Sequence, residues 1–402
     1  MAERPRALLV TPLVPARGGN GLAMRAGVLL EGLARRFDVD LLVVPVVDGP
    51  PGDDLVAAHA DSVATLEPEA GADPRSAIAE LLATAAGRER AALSPRPALS
   101  AGLTSAVARE VARRAEGAAL VWVLRLYLAP VLDALLDARV RPPLALDLDD
   151  LDAPLARALG DEEEAAAFDR LAAHYRPRVD LVTVAAPEDA RDGAVCVPNA
   201  VRPPSGGVKP ARGGAAPPAD VAAEPPAAAP PIDVDLLFVG NLAYRPNLDA
   251  ARWLCGEIAP RLPDARIALV GSRPPAEIRA LAAARVLVAG DVEDPGEWYR
   301  RAALAVAPLR TGAGTRIKVL EALAHRRAVV ATSAGARGLA ELPGVVVADD
   351  PDAFAAACAR LLDDPLERER LAREGEEAVL AGHTAAAVAG RVDELARNML
   401  TA

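Results

Sequence analysis

The sequence predicts an α/β protein built on two parallel sheets, each doubly wound. Three observations carry this. Short apolar, β-branched runs alternate with stretches of helical period along both halves of the chain. At 402 residues the chain is too long for one ordinary core. Between residues 201 and 231 the composition turns abruptly to Pro, Ala and Gly with almost no large apolar residues, which reads as a flexible linker.

The first half opens with a short buried strand, ALLV at 7–10, and a loop, TPLVPARGGNG at 11–21. Residues 22–37 have the helical period, with Leu22, Ala26, Leu29, Leu30 and Leu33 on one side and Arg25, Arg35 and Arg36 elsewhere. A β-branched run at 40–47 follows. Strand, glycine loop, helix and strand begin a doubly wound unit, whose ligands sit at the carboxyl ends of its strands. The loop is not GxGxxG, and the second strand lacks the terminal acidic residue expected for a dinucleotide ribose. Gly18, Gly19 and Asn20 therefore read either as a tight connection or as part of a ligand loop.

Residues 50–118 are alanine-rich, with helical patches at 78–86 and 105–115. Strands at 120–124 and 143–147 flank a helix at 126–136. Arg125 lies at the end of the first strand, where a salt-bridge role and a cleft role both fit. The second strand runs into Asp147, Asp149, Asp150 and Asp152. Clustered carboxylates after a strand serve a divalent metal, a solvated turn or polar contacts across a cleft; we assign Asp150 to the cleft and no residue to a metal. Strands at 181–184 and 194–197 lead to Pro198-Asn199, a turn signal.

The second half restarts with a strand at 234–239, then Gly240-Asn241 and a helix at 247–258. Strands at 266–270 and 286–289 end in Gly271 and Gly290. A helix at 295–302 precedes a strand at 304–309. A strand at 328–332, a loop with Gly335 and Gly338, a strand at 345–347 and a helix at 351–362 lead to terminal helices. The expected division is 1–200, a linker at 201–232, a second domain at 233–380, and a terminal helix at 381–402 returning to the first domain.

The stretch TGAGTRIKVLEAL, 311–323, poses a charge problem. Gly312, Ala313 and Gly314 form a turn between the strand and a helix at 316–324, with Thr315 as the expected N-cap. Arg316 and Lys318 then fall in the first turn, where the macrodipole favours anions, at a cost of about 0.3–1 kcal/mol each. A phosphate bound there resolves the conflict, because glycines admit close backbone approach while helix N–H groups and basic side chains converge on it. The plainer alternative pairs Lys318 with Glu321 at i+3 and leaves Arg316 in solvent.

The net charge of −11 argues against nucleic-acid binding, and it weighs against anionic membranes unless a local basic patch supports a peripheral contact. Three distant cysteines, Cys196, Cys255 and Cys358, fit a reducing compartment. The N-terminus reads as a strand and not a signal peptide, and no uninterrupted apolar run reaches the roughly 18 residues of a membrane span. These features predict a cytoplasmic protein.

Several stretches together resemble the GT-B glycosyltransferases of family 4: FVGNLAYRPNLDA (238–250), ALVGSRP (268–274), VAGDVED (288–294), VAPLRTGAGTRIKVLEALA (306–324) and VVATSAGARGL (329–339). Weaker similarity covers the GGNG loop, LDLDDLD (146–152), DLVTV (180–184) and VPNAV (197–201). The resemblance implies two Rossmann-like domains facing across a cleft, the first binding the acceptor and the second a nucleotide-sugar donor. Glu321 matches the second glutamate of the family's two-glutamate motif, which holds the donor ribose hydroxyls. Arg316 and Lys318 match the positions that approach the diphosphate, with Gly240, Asn241, Arg245, Gly271, Val292, Gly312, Ala313, Gly314 and Thr315 around the donor.

The pattern departs from the family in two places. The first glutamate falls at Ala313, as in relatives with the GxGTRxKxLE form, and Asn241 and Arg245 replace the usual basic pair. Of His59, His174, His325 and His383, none follows a strand end of the first domain.

The resemblance implies a retaining hexosyltransferase-like enzyme that needs no cofactor, with Arg316, Lys318 and the 312–314 backbone stabilising the leaving diphosphate and Glu321 positioning the ribose. Its acceptor is a small molecule, a glycan or a lipid-linked molecule. The competing readings are an epimerase or hydrolase on the same scaffold, and a non-catalytic sugar-nucleotide-binding protein.

Overall fold

The computed structural model describes residues 4–50, 52–69, 93, 96–204, 233–292, 294–312 and 316–401. The helical patch expected at 78–86, most of the linker, and Ala313, Gly314 and Thr315 lie outside the described residues.

The first sheet contains β1 (Arg6–Thr11), β2 (Asp38–Val43), β3 (Ser62–Thr65), β4 (Leu120–Leu124), β5 (Leu144–Asp147), β6 (Leu181–Val184) and β7 (Val195–Cys196). They run parallel in the order β3-β2-β1-β4-β5-β6-β7, so the connections change direction between β1 and β4. Side chains of a strand alternate between faces, and both faces here are covered. Leu8, Val10, Val121 and Val123 pack into one core. Ala7, Leu9, Leu120, Trp122 and Leu124 pack into another, beneath α1 (Gly21–Leu33). The second sheet repeats this plan with β8 (Val234–Val239), β9 (Ile267–Gly271), β10 (Val286–Gly290), β11 (Ala302–Ala307), β12 (Val329–Ala331) and β13 (Val345–Val347), in the order β10-β9-β8-β11-β12-β13. Two parallel-sheet α/β domains are therefore present, as expected.

Several elements differ in detail. The alanine-rich region contributes β3 and a short helix α2 (Asp54–His59), besides the expected α3 (Ser105–Arg114). Two helices not foreseen, α4 (Asp152–Ala158) and α5 (Glu162–Tyr175), join β5 to β6. Residues 126–136 form a 3-10 stretch, Leu126–Leu132, and one α turn, because Pro130 has no N–H to donate. In the second half, α6 (Arg245–Trp253) starts two residues earlier than expected, with Pro246 in the first turn, where its missing N–H costs nothing. It ends in a π turn, Leu254–Ile258. The short helix α7 (Gly296–Arg301) precedes β11, and α8 (Ile317–Ala324) follows it.

After α9 (Pro351–Asp363) and α10 (Pro365–Gly382), the chain returns to the first domain as α11 (Ala385–Met399). Val201 N donates to His383 O at 2.8 Å and Ala385 N to Val201 O at 3.0 Å, so both crossings between the domains run side by side. Helix α11 lies on α1, with Gly32 admitting Val392: a Cβ at Gly32 would come 2.6 Å from Val392 Cβ. Arg36 and Asp393 pair beside this contact at 2.9 Å.

Candidate active site

Lys318, in the first turn of α8, points back at the end of β8. Its Nζ donates to Asn247 Oδ1 at 2.6 Å and lies 4.3 Å from the centre of the Phe238 ring. Asn247 Nδ2 donates in turn to Asn241 O at 2.8 Å, which anchors the amide. Gly240 leaves room for this cage, since a Cβ there would lie 2.8 Å from Asn247 Nδ2 and 3.1 Å from Lys318 Nζ. Gly271, at the end of β9, has φ +148, and a Cβ would fall 1.8 Å from Gly240 O. The two glycines thus let adjacent strand ends close up behind the lysine.

Glu321 stands one turn further along α8, and its Oε2 accepts from the Tyr299 hydroxyl at 3.2 Å. Lys318 and Glu321 are both half-buried. Burial, together with the charge of Arg316, pushes the Lys318 ammonium down to about 7 against the opposing pull of Glu321. Burial pushes the Glu321 carboxyl up to about 7, opposed by the Tyr299 hydrogen bond and Lys318. Lys318 bonds the amide and not Glu321, so the simple i+3 ion pair does not account for it.

The helix start itself corrects the expectation. Arg316, not Thr315, is the N-cap, and among the described residues no side chain caps the helix. Instead of lying in solvent, Arg316 is buried, 8% exposed. Its Nη2 donates to Gly312 O at 2.8 Å and its Nε to Ala334 O at 3.0 Å, binding two loops together. Gly312 has φ +121 and lies directly against this guanidinium. Burial lowers the Arg316 pKa, with Asp150 of the first domain pulling the other way.

Facing α8 from the first domain is the loop before α1. Gly18, Gly19 and Asn20 are exposed, and Asn20 caps α1 by accepting from Ala23 N at 2.8 Å. A Cβ at Gly21 would come 2.9 Å from Ile317 Cδ1, so this loop abuts the start of α8. Arg245 and Asn241 are exposed, whereas Val292 is half-buried.

The acidic run is held by two arginines, and one of them escapes a reading of the sequence. Arg25 is 4% exposed. It grips Asp147 through Nε and Nη2, each at 2.8 Å, and reaches Val197 O and Asn199 Oδ1 through Nη1 at 3.0 and 3.1 Å. Burial opposes its charge, but Asp147 and Asp149 more than offset this. Thr183 Oγ1 completes the cluster by donating to Asp147 Oδ2 at 2.7 Å. A lone arginine among apolar helical residues reads as solvated; its signal was the unpaired Asp147 at a strand end.

Arg125, with φ 83, donates to Asp149 Oδ2 at 3.2 Å and to Asp152. Two arginines thus hold most of the carboxylates that would otherwise suit a cation, and no group of metal-ligating side chains occurs among the described residues. Asp150 differs from its neighbours. Its Oδ1 is buried without a hydrogen-bond partner among the described residues. Burial raises its pKa, while the charges of Arg125 and Arg25 in its own domain and of Arg316 in the other pull it down.

A second cross-domain contact lies beside the Arg316 loops. Arg337 pairs with Asp189, and Gly338 N donates to Glu188 Oε1 at 3.1 Å. Because Ala334 O holds Arg316, this contact and the helix start share one loop.

Residues 233–364 match the family described as glycosyl transferases group 1. A lipopolysaccharide core biosynthesis mannosyltransferase of Rhizobium leguminosarum bv. viciae is 44% identical over 85 residues, covering 20% of this chain and 24% of that protein. The match therefore spans about a quarter of the curated relative's length. Among solved structures, sucrose-phosphate synthase from Thermosynechococcus elongatus superposes with a TM-score of 0.66 at 16% identity, covering 99% of this chain and 100% of the other. An E. coli trehalose-6-phosphate structure bound with UDP-2-fluoro glucose gives 0.63 at 14% identity, covering 98% of each chain. Anabaena HepE in complex with UDP and glucose gives 0.61 at 13% identity, covering 100% of each. Residues 233–364 thus form a glycosyl transferases group 1 domain, within a chain that has the GT-B fold of glycosyltransferases.

Proposed function

We propose that the chain is a retaining family 4 glycosyltransferase that moves a sugar from a nucleotide diphosphate sugar to a hydroxyl of a small-molecule, glycan or lipid-linked acceptor. The observation that carries this is the pairing of a caged Lys318 with Glu321 one turn later on α8, inside the glycosyl transferases group 1 domain. UDP-2-fluoro glucose bound in one structure of the same fold, and UDP with glucose in another, support a nucleotide-sugar donor.

In this proposal the bond from the anomeric carbon to the diphosphate oxygen breaks, and a bond to the acceptor oxygen forms on the same face. The acceptor proton passes to the departing diphosphate. Lys318 and the start of α8 offset the negative charge building on that group, a task for preplaced cations that needs no metal or cofactor. Arg316 holds Gly312 in place beside the diphosphate. Glu321 receives the ribose hydroxyls, and Gly240, Asn241, Arg245, Gly271 and Val292 surround the donor. Gly18, Gly19, Asn20, Arg125 and Asp150 face the acceptor. A cytoplasmic location is part of the proposal, and the three free cysteines agree with it.

The test is calorimetric titration with UDP-, GDP-, ADP- and dTDP-sugars, followed by mass spectrometry of products with candidate acceptors. Binding of one donor with transfer or slow hydrolysis is expected, and Lys318→Ala and Glu321→Ala should each weaken it. No binding, or full affinity in both variants, overturns the assignment; binding with neither transfer nor hydrolysis points to a binding protein.

A further inference from the structure

Tyr299 belongs to none of the groups assigned above, yet it is the residue through which Glu321 is held. Its side chain is 1% exposed, on α7 beneath α8. The hydroxyl lies 3.2 Å from Glu321 Oε2 and 3.3 Å from Lys318 O, so a single proton has two acceptors. The ring stacks on the His325 imidazole at 5.0 Å between centres and 17° between planes. Its own carbonyl accepts from Arg327 Nε at 2.6 Å. Ring and backbone are both fixed, which keeps the hydroxyl oxygen within reach of Glu321. A phenylalanine would fill the same space against Leu320 and Leu323, hence packing alone does not call for the oxygen.

We propose that Tyr299 is a positioning residue for Glu321: its buried hydroxyl holds one carboxylate oxygen so that the other faces the ribose of a nucleoside diphosphate. This rests on the donor site described under Proposed function. A glutamate has three rotatable side-chain bonds, and holding one oxygen removes most of that freedom before a ligand arrives. Among the described residues no other hydrogen bond to the Glu321 side chain occurs. Burial and the Glu321 charge keep the Tyr299 pKa high, so the hydroxyl remains a donor.

The experiment compares UDP, GDP and ADP with their 2′,3′-dideoxy counterparts by calorimetry, in the wild type and in Tyr299→Phe. The nucleotide that the wild type binds should prefer its ribose form. In Tyr299→Phe the ribose form should bind about tenfold more weakly, as expected for a lost hydrogen bond to a charged group, with the dideoxy form unchanged. The acid side of the affinity–pH curve should also move to higher pH, because the carboxylate has lost a donor. In a Glu321→Ala background, which leaves the Tyr299 hydroxyl no carboxylate to hold, the same change should have no further effect on ribose preference. His325→Ala, which unstacks the ring and leaves the hydroxyl in place, should give a smaller loss of preference. Equal weakening of both nucleotide forms, or no weakening of either, overturns the positioning role. A wild type that binds a nucleotide without ribose preference removes Glu321 from the ribose and Tyr299 with it. A wild type that binds none of the three and not dTDP either overturns the donor site itself.

Discussion

The Lys318 ammonium is held by an amide, Asn247 Oδ1 at 2.6 Å, and not by a carboxylate. An amide steadies the amine in either protonation state, whereas an anionic ligand favours the ammonium alone. The cage is therefore set to recharge when an anion enters.

A bell-shaped pH dependence of nucleotide affinity follows. Lys318 is lowered from its ordinary 10.5 to about 7 and is recharged by a diphosphate, so affinity falls as pH rises through 7. Glu321 is raised from 4.5 to about 7 and must be ionised to accept ribose hydroxyls, so affinity falls as pH drops through 7. The maximum lies near pH 7, with slopes approaching about tenfold per pH unit on each side. Titration in buffers of different ionisation enthalpy should find little net proton exchange at pH 7 in the wild type. Lys318→Met should leave only the proton release from Glu321. A flat profile between pH 6 and 8 would remove both groups from the site.

Arg25→Ala should destabilise the first domain by about 3–5 kcal/mol, because it strands the fully buried Asp147 carboxylate. Replacing the pair together, as Arg25→Met with Asp147→Leu, should cost less than the sum of the single changes. Urea melts of Arg25→Ala, of the two single changes and of the double variant test this, and additive losses in the double variant would refute it.

Gly271→Ala should cost about 1–3 kcal/mol or more, since φ +148 is strained for alanine and the added carbon meets Gly240 O at 1.8 Å. The same shift disturbs Gly240 behind Lys318, so nucleotide affinity should fall along with the melting temperature. Gly256→Ala, where an added carbon meets nothing within 4 Å, is the control.

Arg337→Ala should loosen the contact between the domains. It leaves Asp189, whose side chain is 6% exposed, without its partner, at a cost of about 1–3 kcal/mol. Small-angle scattering of the free protein should give a larger radius of gyration than the wild type. An unchanged radius would mean that the remaining contacts keep the domains together.

Much of the architecture was legible because strand and helix periods differ, and because strand ends carry glycine wherever the backbone must close up, as at Gly240 and Gly271. The order and spacing of Arg316, Lys318 and Glu321 on one helix were legible too. What was not legible depends on contacts distant in sequence. Arg25 reads as an ordinary solvated arginine until Asp147, 122 residues away, is seen opposite it. Asn247, Phe238 and Tyr299 look like helix and core residues until Lys318 and Glu321 fold against them. The N-cap shifted from Thr315 to Arg316 because the guanidinium finds carbonyls at Gly312 and Ala334, the second of them in a loop beyond β12. Alanine-rich segments such as the one carrying α2 and β3 have too little side-chain contrast to show a period.

The return of α11 to α1 makes the first domain discontinuous in sequence. A fragment ending near residue 204 would leave Leu29, Leu33 and Phe37 without the covering residues Val388, Val392 and Ala396. Any dissection of the protein into separately expressed halves must therefore supply 385–399 with the first half. Exchange of donor domains between relatives likewise requires two junctions, near 201 and near 384, where the crossing segments already pair.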